Sequence, residues 1–346
     1  MPQPSIVTQD FHRLTEGSIS RRVLLAGSAG LITAASLAMR SALAQGTPSP
    51  GMPAVQAPIR QNWLDKRHEE IIEPELPIID PHHHLWDRPN YRYLFPELLA
   101  DVGSGHNIRA TCIIGFVDLQ LGSRAKGVLE RHIAVSDGRL RGIRNGSTWS
   151  DDPTLKTFTA GGPKGLLLDK NFREGFAALA PLGLAFDGWM FQTQLDDLVD
   201  LARAFPQTTI VLNHVGGPLA IGPYAGKREE AFTEWRDRIR KIALLPNTYV
   251  KLGGLGMKMI GFTFYENPDP PSSQDLEQAW QPYIETCIEA FGPQRSMFES
   301  NFPVDKGTCS YQVLWNTFKR IAASYSAGEK TALFSGTAAK AYGLTL

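Results

Sequence analysis

From residue 77 onward the chain alternates short apolar runs with longer stretches whose apolar residues recur at helical spacing. The short runs cover 77–80, 110–116, 140–144, 184–191, 209–214, 249–252 and 296–302. The stretches between and after them predict helices over 123–135, 171–179, 194–204, 228–244, 273–291 and 310–325. Continuously apolar runs fit strands buried on both faces, and their alternation with amphipathic segments implies parallel strands joined by crossover helices. The expected class is α/β, a (β/α)8 TIM barrel. Seven strands are counted where eight are needed, so the barrel is short of one strand–helix unit or hides a strand within 107–144.

The polar residues sit at the ends of the runs. Asp80-Pro81-His82-His83-His84 closes the first, Arg144-Asn145 the third, Asn213-His214 the fifth and Glu299-Ser300-Asn301 the last, and Gln192 follows the fourth. In a barrel all C-terminal strand ends converge on one mouth, where the chemistry takes place.

Before residue 77 the pattern differs. Ser20-Arg21-Arg22 precedes a moderately apolar run over 23–39, and Ala42-Leu43-Ala44 forms an A-x-A cleavage site. This order predicts a twin-arginine signal over 1–45 and a periplasmic or otherwise exported protein. The run is short for a membrane span of roughly 20 residues, so no membrane anchor is expected. Residues 46–60, rich in Pro, Gly, Ser and Gln, read as a flexible leader. The barrel domain is assigned to 61–346, roughly 285 residues, against ~250 for a typical barrel.

Composition narrows the partners. The 346-residue chain has 35 Lys+Arg and 35 Asp+Glu, a formal net charge of zero, so no field for nucleic acid or an anionic membrane is expected. A small-molecule substrate is the expected partner. The three cysteines, Cys112, Cys287 and Cys309, lack any zinc-knuckle spacing and read as buried small hydrophobes, with one disulfide open to them in an oxidising compartment. No GxGxxG follows the first strand, and neither a GxSxG elbow nor a Walker sequence occurs.

His82 and His84 stand at i and i+2 and share one face of an extended chain. His214 ends a separate strand, so His82, His84 and His214 make a three-imidazole candidate for a divalent metal, Zn, Mn or Fe. A divalent ion there would polarise a carbonyl and acidify water, the chemistry of hydrolysis. Asp80, Asp187, Glu299 and Asp305 are the candidate carboxylates for a general base, and spacing singles out none of them. Arg144 is placed to grip a substrate carboxylate, with Trp86, Trp149 and Gln192 as further pocket candidates. Gly216-Gly217-Pro218 is either a plain turn or a place where backbone approaches a ligand.

Four ordered motifs carry a resemblance: DPHHHLWD at 80–87, VLNHVGGP at 211–218, VKLGGL at 250–255 and FESNFPVDK at 298–306. Over residues 77–344 the chain resembles the amidohydrolase-related (amidohydrolase 2) family. These are metal-dependent TIM-barrel hydrolases similar to 2-pyrone-4,6-dicarboxylate lactonase and L-fuconolactonase. The resemblance implies that His82 and His84 are the first-strand pair and His214 a later-strand imidazole. It also implies two departures. Asn301 fills a slot that usually holds an aspartate, with Asp305 nearby as a substitute, and Gln192 stands where relatives often carry histidine. Relatives run longer before Gly115 by about one strand–helix unit, in keeping with seven strands. Some lactonases of the group work without a tightly bound metal, so the ion is expected to be weakly held or dispensable. The expected activity is opening of a lactone or related cyclic ester of a carboxylated or sugar-acid substrate. Asn301, Asp305 and Arg144 are the catalytic candidates. Decarboxylation on the same site, and a barrel that binds ligand with impaired catalysis, are the alternatives.

Overall fold

The computed structural model describes residues 56–88, 91–158 and 162–345. The expected export signal and most of the leader lie outside these residues. Ten strands occur among the described residues: β1 (Ile78–Asp80), β2 (Trp86–Arg88), β3 (Tyr91–Tyr93), β4 (Ile108–Thr111), β5 (Ile113–Gly115), β6 (Leu140–Gly146), β7 (Ala185–Trp189), β8 (Ile210–Leu212), β9 (Thr248–Leu252) and β10 (Ser296–Phe298). Six form one parallel sheet in the order β10-β9-β8-β7-β6-β5, and β1 pairs in parallel with β4. β4 and β5 are one stretch of chain that changes neighbour at Cys112, pairing first with β1 and then with β6. The seven apolar runs therefore correspond to seven strand positions, and β2–β3 is a small antiparallel hairpin outside that series.

Helices Ala125–Val135, Lys170–Phe176, Leu195–Ala204, Arg228–Ala243, Ser273–Phe291 and Tyr311–Ile321 fall where the periodicity predicts them. The longest starts at Ser272, whose hydroxyl and Asp275 cap each other reciprocally, an arrangement worth about 1 kcal/mol. The strands obey the period-two rule. Ile210, Leu212, Val250, Leu252, Phe186 and Phe298 belong to the large core shared with the helices. Their neighbours Val211, Tyr249, Met297, Ile79 and Ala185 pack instead with Ala338 and Tyr342 in a second cluster. The C-terminal helix Thr337–Tyr342 thus covers the inner face of the curled sheet.

At the other end of the strands, the chain after β10 is stitched to the chain after β1. His84 N–H donates to the Phe302 carbonyl at 2.7 Å and Asn301 N–H to the His82 carbonyl at 3.0 Å. Asp80 Oδ1 accepts from Ser300 N–H at 3.0 Å, and Asp80 Oδ2 accepts from the Tyr311 hydroxyl at 3.0 Å. Asp80 is buried and spent on this seam, so its polar character is structural.

Residues 56–60 do not behave as a free leader. Ala57 is buried, Arg60 donates to the Tyr265 carbonyl and Trp63 Nε1–H donates to the Asn267 carbonyl at 3.0 Å. The folded body begins before the expected boundary at residue 61, because apolar and cationic side chains hold this segment to the 265–270 loop. All three cysteines are buried and unpaired. Among the described residues no helix is long and apolar enough to cross a membrane.

Candidate active site

The strand ends bring His82, His214 and Glu299 together. Their ligand atoms all lie within 4.8 Å of one another, and all three residues are buried. Glu299 Oε1 accepts from His214 Nδ1 at 2.7 Å and from the His214 backbone N–H at 3.0 Å. His82 Nδ1 stands 3.0 Å from Glu299 Oε2, while Arg144 Nη1 meets His82 Nε2 at 2.8 Å. Arginine only donates, so Nε2 is the acceptor in that contact.

Burial sets the charge states. It lowers His82 well below the ordinary imidazole value, and the Lys251 charge lowers it further. His84 is lowered well too, by burial first and then by Arg144. His214 is lowered by burial against the opposing pull of Glu299. For Glu299 burial pushes upward, but His214 and Lys251 outweigh it and hold the group below the usual carboxylate value. Neutral imidazoles around one carboxylate are the result.

Beneath them lies Lys251, on the inner face of β9. Its Nζ donates to Asp187 Oδ2 at 2.6 Å and to the Pro81 carbonyl at 2.9 Å, and lies 3.2 Å from His82 Nδ1. Asp187 Oδ1 accepts from the Tyr342 hydroxyl at 2.8 Å, so the C-terminal helix supports the floor of the site. Sequence reasoning did not single out Lys251, although a lysine inside the apolar run Tyr249-Val250-Lys251-Leu252 is a usable signal: a buried ammonium needs a buried partner.

Two backbone features hold the imidazoles. Gly254, with φ +71°, lies so close to His214 that a Cβ there would stand 2.6 Å from the ring Nδ1. His214, Val215 and Asn301 carry φ of 53°, 45° and 54°, left-handed values that cost non-glycine residues about 1–3 kcal/mol each and cluster at functional sites.

A cleft of about 390 Å³ opens beside His82, lined by His82, His84, Arg144 and Asp187 on the polar side and by Leu85, Trp86, Ile113 and Ile114 on the apolar side. A smaller lobe of about 140 Å³ adjoins it through His84, Trp86 and Arg144. Trp86 stacks on His84, with centroids 4.6 Å apart and planes 24° apart, so the two rings form one flat wall.

The sequence candidates therefore separate. His84, Trp86 and Arg144 line both clefts, and Asn301 lines the smaller one. Asp305 lies behind Asn301, accepting from its Nδ2–H at 2.9 Å and from Gly256 N–H at 3.2 Å, and burial pushes its carboxyl up to about 8. Gln192 lines neither cleft. It is fully buried and its carboxamide is tied to backbone, accepting from Leu219 N–H at 3.0 Å and donating to the Ala231 carbonyl at 3.4 Å. Trp149 also lies outside both clefts, under Lys164. Gly217 (φ +59°) abuts the Met190 carbonyl, which a Cβ would strike, so the Gly216-Gly217-Pro218 turn serves packing between strand ends.

The donor set fits a divalent cation. Two nitrogen ligands and one carboxylate suit zinc and its neighbours. Glu299 Oε2 is buried and accepts no hydrogen bond, an orphaned charge of the kind an ion satisfies. Of the expected trio His82, His84 and His214, two meet Glu299 in this cluster, and His84 Nε2 stands 3.3 Å from His82 Nε2.

Residues 107–344 match the amidohydrolase family, and the chain belongs to it. An uncharacterised protein of Sinorhizobium fredii is 31% identical over 316 residues, 78% of this chain and 99% of its own length. An L-fucono-1,5-lactonase of Burkholderia multivorans is 30% identical over 237 residues, 68% of this chain and 72% of its own length. An amidohydrolase of Burkholderia multivorans, solved with bound zinc, superposes with a TM-score of 0.55 at 25% identity over 78% of this chain and 99% of that one.

Proposed function

We propose that this amidohydrolase-family chain is a lactonase, adding water to the carbonyl of a lactone or related cyclic ester. The observation that carries this is the meeting of His82, His214 and Glu299, within 4.8 Å, beside two joined clefts, one lined by His82 and the other by His214, that both present Arg144. The lactonase relative adds weight to it. A divalent ion held by His82, His214 and Glu299 would supply Lewis-acid polarisation of the carbonyl. The remaining work falls to the chain. The His84–Trp86 wall orients the ring, and Arg144 holds the oxygen on which negative charge develops, or a ring carboxylate. Neutral His84 takes a proton from the water as the new C–O bond forms and returns it to the ring oxygen as the ring C–O bond breaks, leaving a hydroxy acid. Asn301, an amide, takes no proton, and its contact with Asp305 fixes the wall of the smaller lobe.

The test is acid release from a panel of lactones, followed with a pH indicator, with and without added Zn²⁺ or Mn²⁺. Ring opening of at least one lactone is expected, with near one equivalent of metal by plasma mass spectrometry. No acid from any member, with either ion, would refute the proposal.

Two further points belong to this reading. We infer that the six-stranded sheet and the β1–β4 pair make one closed barrel with seven strand positions, one short of (β/α)8. The hydrogen bonds from Ser300–Phe302 to Asp80–His84 support closure. We also propose export by the twin-arginine route, on the motif around Arg21-Arg22 and the A-x-A site.

A further inference from the structure

The smaller lobe has a chemistry of its own. Its walls include Met257, Met259, Phe158 and Val304, side chains that offer no strong hydrogen-bonding group to a ligand placed among them, and Trp189, whose broad ring face is apolar and whose indole N–H is its one donor. Trp189 stands edge-on to His214, with ring centroids 4.8 Å apart, so this apolar wall reaches the reacting centre itself. The polar groups facing the lobe are mostly committed elsewhere. His214 Nδ1 is bonded to Glu299, Arg144 Nη1 to His82, and the Asn301 Nδ2–H to Asp305. The nearby carboxylates do not serve paired hydroxyls either: Asp187 is taken by Lys251 and Tyr342, and Glu299, bonded to His214 through Oε1, does not line the lobe. In the proposed reaction His84 and the other N–H groups of Arg144 engage the reacting carbonyl or a carboxylate, so what remains for ring hydroxyls is the carbonyl of Asn301, buried and without a hydrogen bond, Gln56, and the indole N–H groups of the wall.

A polyhydroxylated ring carries more hydroxyls than these few groups can serve. Each hydroxyl pressed against the Met–Trp wall would lose its water without replacement, a loss of roughly tenfold in binding. An alkyl or aryl group gains instead from leaving water, by about fourfold per methylene at ~0.8 kcal/mol each. Met side chains, unbranched and polarisable, accommodate such groups without demanding one shape.

We infer that the smaller lobe is an apolar subsite, and that the substrate is a lactone bearing an alkyl or aryl substituent rather than a sugar lactone. This rests on the lactonase proposal and names its substrate class.

The test compares kcat/KM of the zinc-loaded protein on δ-valerolactone, its longer-chain homologues up to δ-nonalactone, and two hydroxylated rings, glucono-δ-lactone and L-fucono-1,5-lactone. The expected result is a rise with chain length, at least about tenfold from valerolactone to nonalactone, with both hydroxylated rings at or below valerolactone. Met257→Gln, which puts an amide on the wall, should flatten the chain-length slope in kcat/KM. Faster opening of the hydroxylated rings, or no dependence on chain length, overturns the apolar subsite while leaving lactone opening intact. Failure to open any of these lactones overturns both.

Discussion

Replacing Lys251 with methionine tests whether the floor of the site is a compensated ion pair. The Lys251 and Asp187 side chains are 0% and 1% exposed and meet at 2.6 Å. Methionine keeps the unbranched stem of lysine, one atom shorter and uncharged, but leaves Asp187 with the Tyr342 hydroxyl as its remaining bonded partner, and leaves the Pro81 carbonyl without its ammonium donor. Removing one partner of a buried pair strands the other charge and costs about 3–5 kcal/mol. For a folded domain of roughly 285 residues, at about 2 °C per kcal/mol, the melting temperature should fall by about 6–10 °C. The companion is Lys251→Met with Asp187→Asn, in which no charge is stranded. The double variant should regain about 2 kcal/mol or more over Lys251→Met, the sign of coupling that a double-mutant cycle isolates. Equilibrium urea unfolding at pH 7, followed by tryptophan fluorescence, gives the four free energies. A loss below about 1 kcal/mol for Lys251→Met, or a double variant as unstable as the sum of the single changes, would refute the account of the floor as mutual compensation.

Three other outcomes are expected. Gly254→Ala should displace His214, since its Cβ would lie 2.6 Å from the ring, and should lower both metal content and turnover by about tenfold or more; unchanged metal content would remove His214 from the ligand set. Asp305, raised to about 8 from an ordinary 3.8, binds its proton more tightly when folded, so its contribution to stability is complete below pH 4 and is lost as pH rises toward 8. His106, lowered by burial to about 4, acts the opposite way, its contribution being lost as pH falls below 6.5. The difference between wild type and Asp305→Asn in urea midpoint over pH 5–8 isolates the aspartate: wild type should lose stability more steeply, and parallel profiles would count against a buried neutral acid. Replacing Arg21 and Arg22 with lysines should leave the protein uncleaved in the cytoplasm on fractionation, and undiminished export would exclude the twin-arginine route.

The strands, the helices and their order were legible because each rests on local periodicity. An apolar run of four to eight residues and a 3.6-residue repeat are written within one segment, and the seven runs and six long helices stand where these patterns place them. The β2–β3 hairpin and the C-terminal helix Thr337–Tyr342 are too short to carry a period of their own. His82, His84 and Arg144 were legible for a related reason: polar residues that close buried strands collect at one mouth.

The choice among the carboxylates was not local. Glu299 joins His214 from 85 positions away and His82 from a third strand end, and a window of sequence holds no record of that meeting. Asp80, adjacent to the histidines in sequence, is turned outward to Tyr311 by the same period-two rule that places Ile79 inward. Gln192 and Asp305 were withdrawn from the clefts by backbone partners that become neighbours only after folding. Sequence alone determined that this chain forms parallel strands with histidines and an arginine at their ends, because hydrophobic burial is patterned locally. Only the tertiary structure decided which carboxylate faces the imidazoles, which lysine lies beneath them and how apolar the second lobe is, because those depend on contacts between strand ends that the chain itself keeps far apart.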